Sequence, residues 1–362
     1  MDLAGIRVGL VGPLPPPAGG MANQTQQLAE LLQAAQAQVT LVQTNAPYQP
    51  HWAGCVPGVR AVFRLLPYVV LLWRATGRSD VLHIMANSGW SWHLFAAPAI
   101  WIARLRGVPA VVNYRGGEAA EFLHGAQTAV RRSMAVTADL LVPSAFLQEV
   151  FARFGMQAEI VPNIIDLARF HPRGPKDTQS VHLVVARNLE PLYDNTTAIR
   201  AFQTVHAEWP QARLTIAGSG PQEAALRQLV TDLGMQTQVR FTGRLDRDAM
   251  AALYREADIM LNPSLADNMP NSVLESMASG VPVVSTNVGG VPYIVQDGVT
   301  ALLVPPANPQ AMAAACLRLL DDPGLWSRLQ QAGLAEVQRY TWAQVAPMLA
   351  AHYCQAIQTK KP

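Results

Sequence analysis

The chain has 362 residues, half of them hydrophobic, with 27 basic against 25 acidic side chains and a formal charge of +2. That length allows two ordinary domains with sizeable cores, and so even a charge balance argues against a nucleic-acid partner. Three scattered cysteines (Cys55, Cys316, Cys354) and eight histidines without paired spacing indicate neither a disulfide framework nor a metal site.

The opening MDLAGIRVGLVG carries an acid at position 2 and passes directly into a strand pattern, so it does not read as a signal peptide. No apolar run approaches the ~18 residues that a spanning helix needs. A reducing, cytoplasmic location is therefore expected. Short apolar runs then alternate with helical periods along the whole chain. The expected strands of the first half are 6–11, 39–43, 81–85, 110–113, 140–142 and 159–161, with helices such as 23–35, 90–106 and 145–154. The second half repeats the habit with strands at 181–186, 213–217, 239–242, 258–261, 283–285 and 301–304. Its helices are expected at 196–208, 222–233, 247–257, 271–279 and 310–320. Nearly continuous apolar strands set between helices imply buried parallel sheets, and two such sets imply two doubly wound α/β domains. The aperiodic stretch PNIIDLARFHPRGPK (162–176) marks the boundary, placing domains at 1–165 and 166–340 and a final helix within 341–362.

Between these elements lie the segments that can carry chemistry. After the first strand comes GPLPPPAGGMAN (12–23), where Gly19 and Gly20 precede a helix. Lacking Cβ atoms, they let backbone approach a ligand, and the following helix start favours phosphate. The strict dinucleotide-binding glycine spacing is absent, which disfavours an NAD enzyme. Residues 59–78, VRAVFRLLPYVVLLWRATGR, mix large apolar side chains with Arg60, Arg64, Arg74 and Arg78 and no acid. Such a segment either covers one face of the first sheet or lies on an anionic membrane. Trp90 and Trp92 suit a core or a ligand groove equally.

At the end of the fourth strand, VVNYRGGE (111–118) places Arg115 where open α/β sheets bind ligands. Arg115 is open to several readings: a ligand's phosphates or hydroxyls, an anionic partner, or a surface ion pair with Glu118 or Glu121. Arg187 closes the first strand of the second half; its planar fork matches two phosphate oxygens, or it makes a structural strand-end ion pair. Gly218 lies in AGSGP (217–221), either a close-approach site or a tight turn of the fold. Asp246-Arg-Asp248 reads as a helix start rather than a metal motif, with Asp246 as N-cap. The densest segment is DIMLNPSLADNMPNSVLESMASGVPVVSTNVGG (258–290). Asp267 stands in its loop and Glu275 eight residues on within the helix. Between them Asn268, Met269, Pro270, Asn271 and Ser272 present backbone N–H groups at a helix start.

This acid-x7-Glu segment, the Arg187 strand end, the Gly19–Gly20 loop and the GVPVVSTNVGG run (280–290) resemble glycosyltransferase family 4. The resemblance covers nearly the whole chain, most specifically 181–305. It implies the GT-B fold, two facing Rossmann-like doubly wound domains with a cleft between them, the last helix crossing back to the first domain. It further implies a retaining enzyme moving sugar from a nucleotide-sugar donor to an acceptor hydroxyl without a cofactor or metal. The setting it implies is bacterial cell-surface polysaccharide, lipopolysaccharide or glycolipid assembly. The acceptor would be a saccharide or lipid-linked saccharide, and the protein cytoplasmic with peripheral contact on the inner membrane face.

By resemblance, Arg187 neutralises the donor diphosphate, with Arg115 and Gly19–Gly20 assisting. Asp267 and the neighbouring backbone hold the sugar hydroxyls, Glu275 accepts from the ribose, and Gly218 lines the donor site. The catalytic set is then Arg115, Arg187 and Asp267. Three departures from the family pattern stand out. Arg115 replaces its usual His, Asp267 its usual Glu, and no Lys follows Arg187 within Glu190–Asp194. A nucleotide-sugar epimerase, or an inactive nucleotide-sugar-binding subunit, are the alternatives.

Overall fold

The computed structural model describes residues 3–16, 19–48, 59–173 and 181–359, with the backbone alone for 59–62. Cys55, the side chain of Arg60 and the end of the expected linker, 174–176, lie outside them. The chain divides into two compact units. One comprises the chain up to Asn163 together with the chain from Trp342 onward, and the other Ile164–Thr341.

The first unit contains β1 (Arg7–Gly12), β2 (Gln38–Gln43), β3 (Val81–Ala86), β4 (Ala110–Tyr114), β5 (Asp139–Val142) and β6 (Glu159–Ile160). They form one sheet in the order β2-β1-β3-β4-β5-β6, all pairs parallel. Its helices are α1 (Gly20–Ala34), α2 (Val59–Thr76), α3 (Ala97–Leu105), α4 (Ala119–Met134) and α5 (Ala145–Arg153). The expected helix at 90–106 begins with one widened π turn, Trp92–Ala96, before α3. Trp92 is fully buried there, whereas Trp90 is 77 % exposed, so only Trp92 belongs to the core.

The second unit holds β7 (His182–Ala186), β8 (Arg213–Ala217), β9 (Val239–Gly243), β10 (Ile259–Asn262), β11 (Val283–Thr286) and β12 (Leu302–Val304). Its parallel sheet runs β12-β11-β10-β7-β8-β9. Around it pack α6 (Asn195–Glu208), α7 (Glu223–Asp232), α8 (Arg247–Glu256), α9 (Asn271–Ala278), α10 (Pro309–Asp321) and α11 (Pro323–Glu336). The central strands β7 and β10 are buried on both faces, one layer of side chains entering a core with α6 and α10, the other a core with α8 and α9. This two-sided burial is the reason the strands are almost wholly apolar.

The last helix, α12 (Trp342–Gln358), belongs to the first unit. The Tyr353 hydroxyl lies 2.8 Å from His83 Nδ1 on β3, and His352 Nδ1 lies 3.2 Å from Asp139 Oδ2 on β5. Both expected sheets are thus present, and α4 and α11 are helices the sequence reading did not single out.

Candidate functional site

In the second sheet the chain starts at β7, proceeds outward through β8 and β9, then returns to add β10 on the other side. The order reverses between β7 and β10, so the loops leaving their carboxyl ends diverge and open a crevice. Arg187 follows β7 directly. Asn262 ends β10, and Asp267 lies in the loop beyond it.

These three side chains meet. Arg187 donates from Nε to Asn262 Oδ1 at 2.7 Å, and its Nη2 forms an ion pair with Asp267 Oδ2. The pair is withdrawn from water, with the side chains only 11 % and 12 % exposed. Asn262 is itself fully buried and fixed on both sides, accepting from Ser264 Oγ and donating to Ser285 Oγ, each at 2.9 Å. Burial lowers the Arg187 pKa, opposed by Tyr193, Tyr254 and Glu275. The Tyr193 ring lies 5.0 Å below the guanidinium, in the window where the family pattern has Lys. Asp194 next to it is left-handed (φ 37°) and caps α6 through Thr197, so this loop is a tight helix entry.

The loop from Asp267 into α9 is held by glycines. Gly290 N–H donates to the Asp267 carbonyl at 2.8 Å. A Cβ on Gly289 would lie 2.1 Å from that carbonyl oxygen, and one on Gly290 1.7 Å from the Asn268 carbonyl oxygen. Only bare backbone fits between these two loops. Gly218 works the same way: its Cβ would meet the Arg187 carbonyl oxygen at 2.0 Å. The glycine therefore lets the β8 turn support the Arg187 loop.

At the start of α9 no side chain caps the helix; Pro270 occupies the N-cap position. Asp267 Oδ1 accepts from Asn268 N–H at 3.1 Å. Met269 is buried in the core with α8 and α9, so it can offer a ligand its backbone only. The Ser272 hydroxyl is buried and has no hydrogen-bond partner among the described residues. Asn271 is partly exposed at the first turn. An uncapped helix start with its N–H groups and positive dipole end attracts anions and polyhydroxyl oxygens.

Glu275 lies one turn further on. Loss of water raises its pKa to about 7, against the lowering effects of Arg247, the facing Tyr254 hydroxyl and Arg187. Tyr254 is fully buried and its own pKa is pushed well up. Asn262, Tyr254 and Arg247 went unnoticed in the sequence; the available signal was the single amide closing the otherwise apolar strand IMLN. Asp246 accepts from Ala249 N–H at 2.8 Å and caps α8, as its position in the sequence indicates.

The first unit presents a separate cluster. Gly19 is the N-cap of α1, with extended backbone, no side-chain cap and open space where a Cβ would stand; Gly20 begins the helix. Arg115 follows β4. It forms no ion pair with Glu118 or Glu121 among the described residues. Instead it donates from Nε to Asn113 Oδ1 at 3.1 Å and from Nη1 to Gln24 Oε1 and Asn163 Oδ1. Gly116 is packed so that a Cβ would strike Ser88 Oγ at 2.3 Å.

Comparison with known proteins bears on both units. Residues 18–169 match the family described as Glycosyltransferase Family 4, and residues 180–322 match Glycosyl transferases group 1. Glycogen synthase of Mycobacterium tuberculosis is 30 % identical over 294 residues, covering 77 % of this chain and 69 % of that protein. A phosphatidyl-myo-inositol mannosyltransferase of Mycolicibacterium smegmatis is 26 % identical over 374 residues, 96 % and 93 % of the two chains. D-inositol 3-phosphate glycosyltransferase of Streptomyces bingchenggensis is 28 % identical over 230 residues, but the chain spans only half the length of that relative. Several further relatives are matched over about two fifths of their length. Among solved structures, Anabaena HepE in complex with UDP and glucose superposes with a TM-score of 0.75 at 18 % identity, covering 96 % of this chain and 98 % of its own. That likeness, at so low an identity, concerns the fold. With family matches over both units and a 30 % identical relative covered over more than two thirds of its length, the chain belongs to glycosyltransferase family 4 and has the GT-B fold.

Proposed function

We propose that this protein is a retaining glycosyltransferase that transfers a sugar from a nucleoside-diphosphate sugar to an acceptor hydroxyl. The observation that carries the reading is the Arg187–Asp267 pair, set at the β7/β10 reversal beside the uncapped start of α9, with Glu275 one turn on. In this reading the donor diphosphate takes Arg187, replacing Asp267 as its counter-ion, and Asp267 is released to accept from the sugar hydroxyls. The α9 N–H groups and the Ser272 hydroxyl complete the donor contacts, while Glu275 accepts from the ribose.

As the C1–O bond breaks, negative charge grows on the diphosphate, and the fixed donor groups stabilise it without reorganisation. The acceptor hydroxyl attacks on the face that the diphosphate leaves, its proton passing to a diphosphate oxygen. No divalent metal is required in this reading, and Tyr193 stacked on Arg187 takes the place of the family Lys. The UDP bound by HepE supports the donor class, and the names of the relatives support sugar transfer. The test is transfer from radiolabelled nucleotide sugars, with donor hydrolysis as the acceptor-free signal, repeated in chelator. An intact donor under all conditions would favour a binding subunit, and activity restored only by added manganese or magnesium would overturn the metal-free mechanism.

We further propose a role in cell-surface polysaccharide, lipopolysaccharide or glycolipid assembly, from the cytoplasmic side of a membrane. Its support is one surface of the first unit. No described helix is long and apolar enough to cross a membrane. On α2 and α3, however, Leu66, Val69, Val70, Leu71, Trp73, Trp101 and Leu105 are exposed. Exposed Arg74, Arg78, Arg104 and Arg106 accompany them, Arg106 lying 4.7 Å over the Trp73 ring. Arg64 does not contribute, because it lies over Tyr48 and reaches the Ala46 carbonyl. Exposed apolar side chains among arginines suit the interface of an anionic bilayer.

A further inference from the structure

Arg115 is a cation held in place by neutral groups. Its three acceptors come from three elements: Asn113 from β4, Gln24 from α1 and Asn163 from the end of the first unit. All three amides are buried, at 2 %, 9 % and 5 % exposure. They orient the guanidinium but bring it no negative charge. Glu118 and Glu121 are exposed and form no ion pair with it among the described residues. Burial lowers its pKa to about 10, which still leaves it protonated at neutral pH. The charge is felt at His83, which burial and then Arg115 push down to about 3. His83 is therefore neutral and compensates nothing.

The geometry also leaves part of the fork unused. Nε and Nη1 are engaged, whereas the two N–H groups of Nη2 have no protein acceptor among the described residues. The next residue is closely packed, since a Cβ on Gly116 would run into Ser88, Asn87 and Tyr114. Gln24, one turn into α1, ties the guanidinium to the helix whose uncapped start is Gly20. A partly buried cation held by neutral groups has an electrostatic need for a counter-ion, and the unengaged Nη2 can meet an anionic oxygen.

We infer that Arg115 recognises a negatively charged group, a carboxylate or phosphate, carried by the transferred sugar or by the acceptor and distinct from the donor diphosphate. The inference rests on the glycosyltransferase reading and adds that one of the two saccharide substrates is acidic. An uncharged sugar would leave Arg115 without its counter-ion, which is the basis of discrimination.

The test is calorimetric titration of wild type, Arg115→Gln and Arg115→Lys. The donor arm compares UDP-glucose with UDP-glucuronate. The acceptor arm titrates methyl glucoside, methyl glucuronoside and glucose 6-phosphate into UDP-saturated protein. Wild type is expected to prefer the charged member of one arm by at least about tenfold, the size of one charge-assisted hydrogen bond. Arg115→Gln should reduce that preference below about threefold while binding UDP as wild type does, which also shows that the variant is folded. Arg115→Lys should retain part of it through charge alone. The arm that responds identifies which substrate is acidic. Equal wild-type affinity for charged and neutral members in both arms overturns the inference, as does a parallel loss of UDP in Arg115→Gln, which would assign the residue to the diphosphate. Wild-type protein that binds none of UDP, GDP and ADP refutes the donor reading and the inference with it; where GDP or ADP binds in place of UDP, both arms are run with that base.

Discussion

Replacing Arg187 by Ala should affect folding and ligand binding through different partners, and the two effects can be separated. In the structure Arg187 neutralises Asp267 with both side chains about nine-tenths buried. Removing the arginine leaves a buried carboxylate with its counter-ion gone and the Asn262 Oδ1 without one donor, though Ser264 still reaches it. Breaking one side of a buried pair typically costs about 3–5 kcal/mol. For a unit spanning residues 164–341, that corresponds to a fall in Tm of roughly 6–20 °C, at about 2–4 °C per kcal/mol. The double variant Arg187→Met/Asp267→Asn removes both charges and should recover most of the loss. It should not recover phosphate binding, because the group that met the diphosphate is still missing. Calorimetry with UDP and uridine reads that part. UDP should weaken by about ten- to a hundredfold in both variants, corresponding to roughly 1.5–3 kcal/mol, while uridine changes little. Two results would refute the reasoning: UDP and uridine weakening equally, or a single variant as stable as wild type.

Four further outcomes follow from the same structure. Glu275 has a folded pKa of about 7 against an ordinary 4.5, so the folded state holds a proton that the unfolded chain releases across that interval. Stability should therefore fall from pH 4.5 to 7 and level off above, and Glu275→Gln should flatten that profile in denaturant titrations. Gly290→Ala places a methyl into the Asn268 carbonyl and should cost about 1–3 kcal/mol of overpacking while weakening UDP binding; an unchanged Tm would show that the loop yields freely. The His352 pKa is raised by its hydrogen bond to Asp139, so the stabilisation is complete below the ordinary value of 6.5 and disappears as pH rises through the folded value. Hydrogen exchange in α12 should accelerate over that range, and His352→Gln should abolish the dependence. Sedimentation with anionic vesicles should exceed that with neutral ones at low salt and drop when Arg74, Arg78, Arg104 and Arg106 become Gln, whereas equal sedimentation would assign the α2/α3 surface to another role.

The order of elements was legible in the sequence because buried parallel strands must be almost wholly apolar. Runs such as HLVVA and IMLN are too short for buried helices and are flanked by helical periods. Loops rich in glycine and helix-start residues marked where a ligand could approach, since backbone is exposed only where side chains are small or a helix begins. Chain order also implied two sheets, each with helices on both faces. None of this contained distances between loops. Arg187 and Asp267 are eighty positions apart, and they meet because β10 pairs with β7 rather than continuing beyond β9. Asn262 and Tyr254 looked like ordinary strand-end and helix residues until packing set one against the guanidinium and turned the other toward Glu275. For Arg115 the sequence left ligand contacts and a surface pair with the neighbouring glutamates both open. The structure turns it inward to Gln24, Asn113 and Asn163, residues whose proximity depends on α1, β4 and the end of the first unit converging. Local sequence thus determined which segments are strands, helices and ligand-capable loops, because those depend on periodicity and on backbone freedom within a few residues. Which charges are paired, which stay uncompensated and which glycines are packed against carbonyls was decided by strand order and close packing, interactions between residues far apart in the chain.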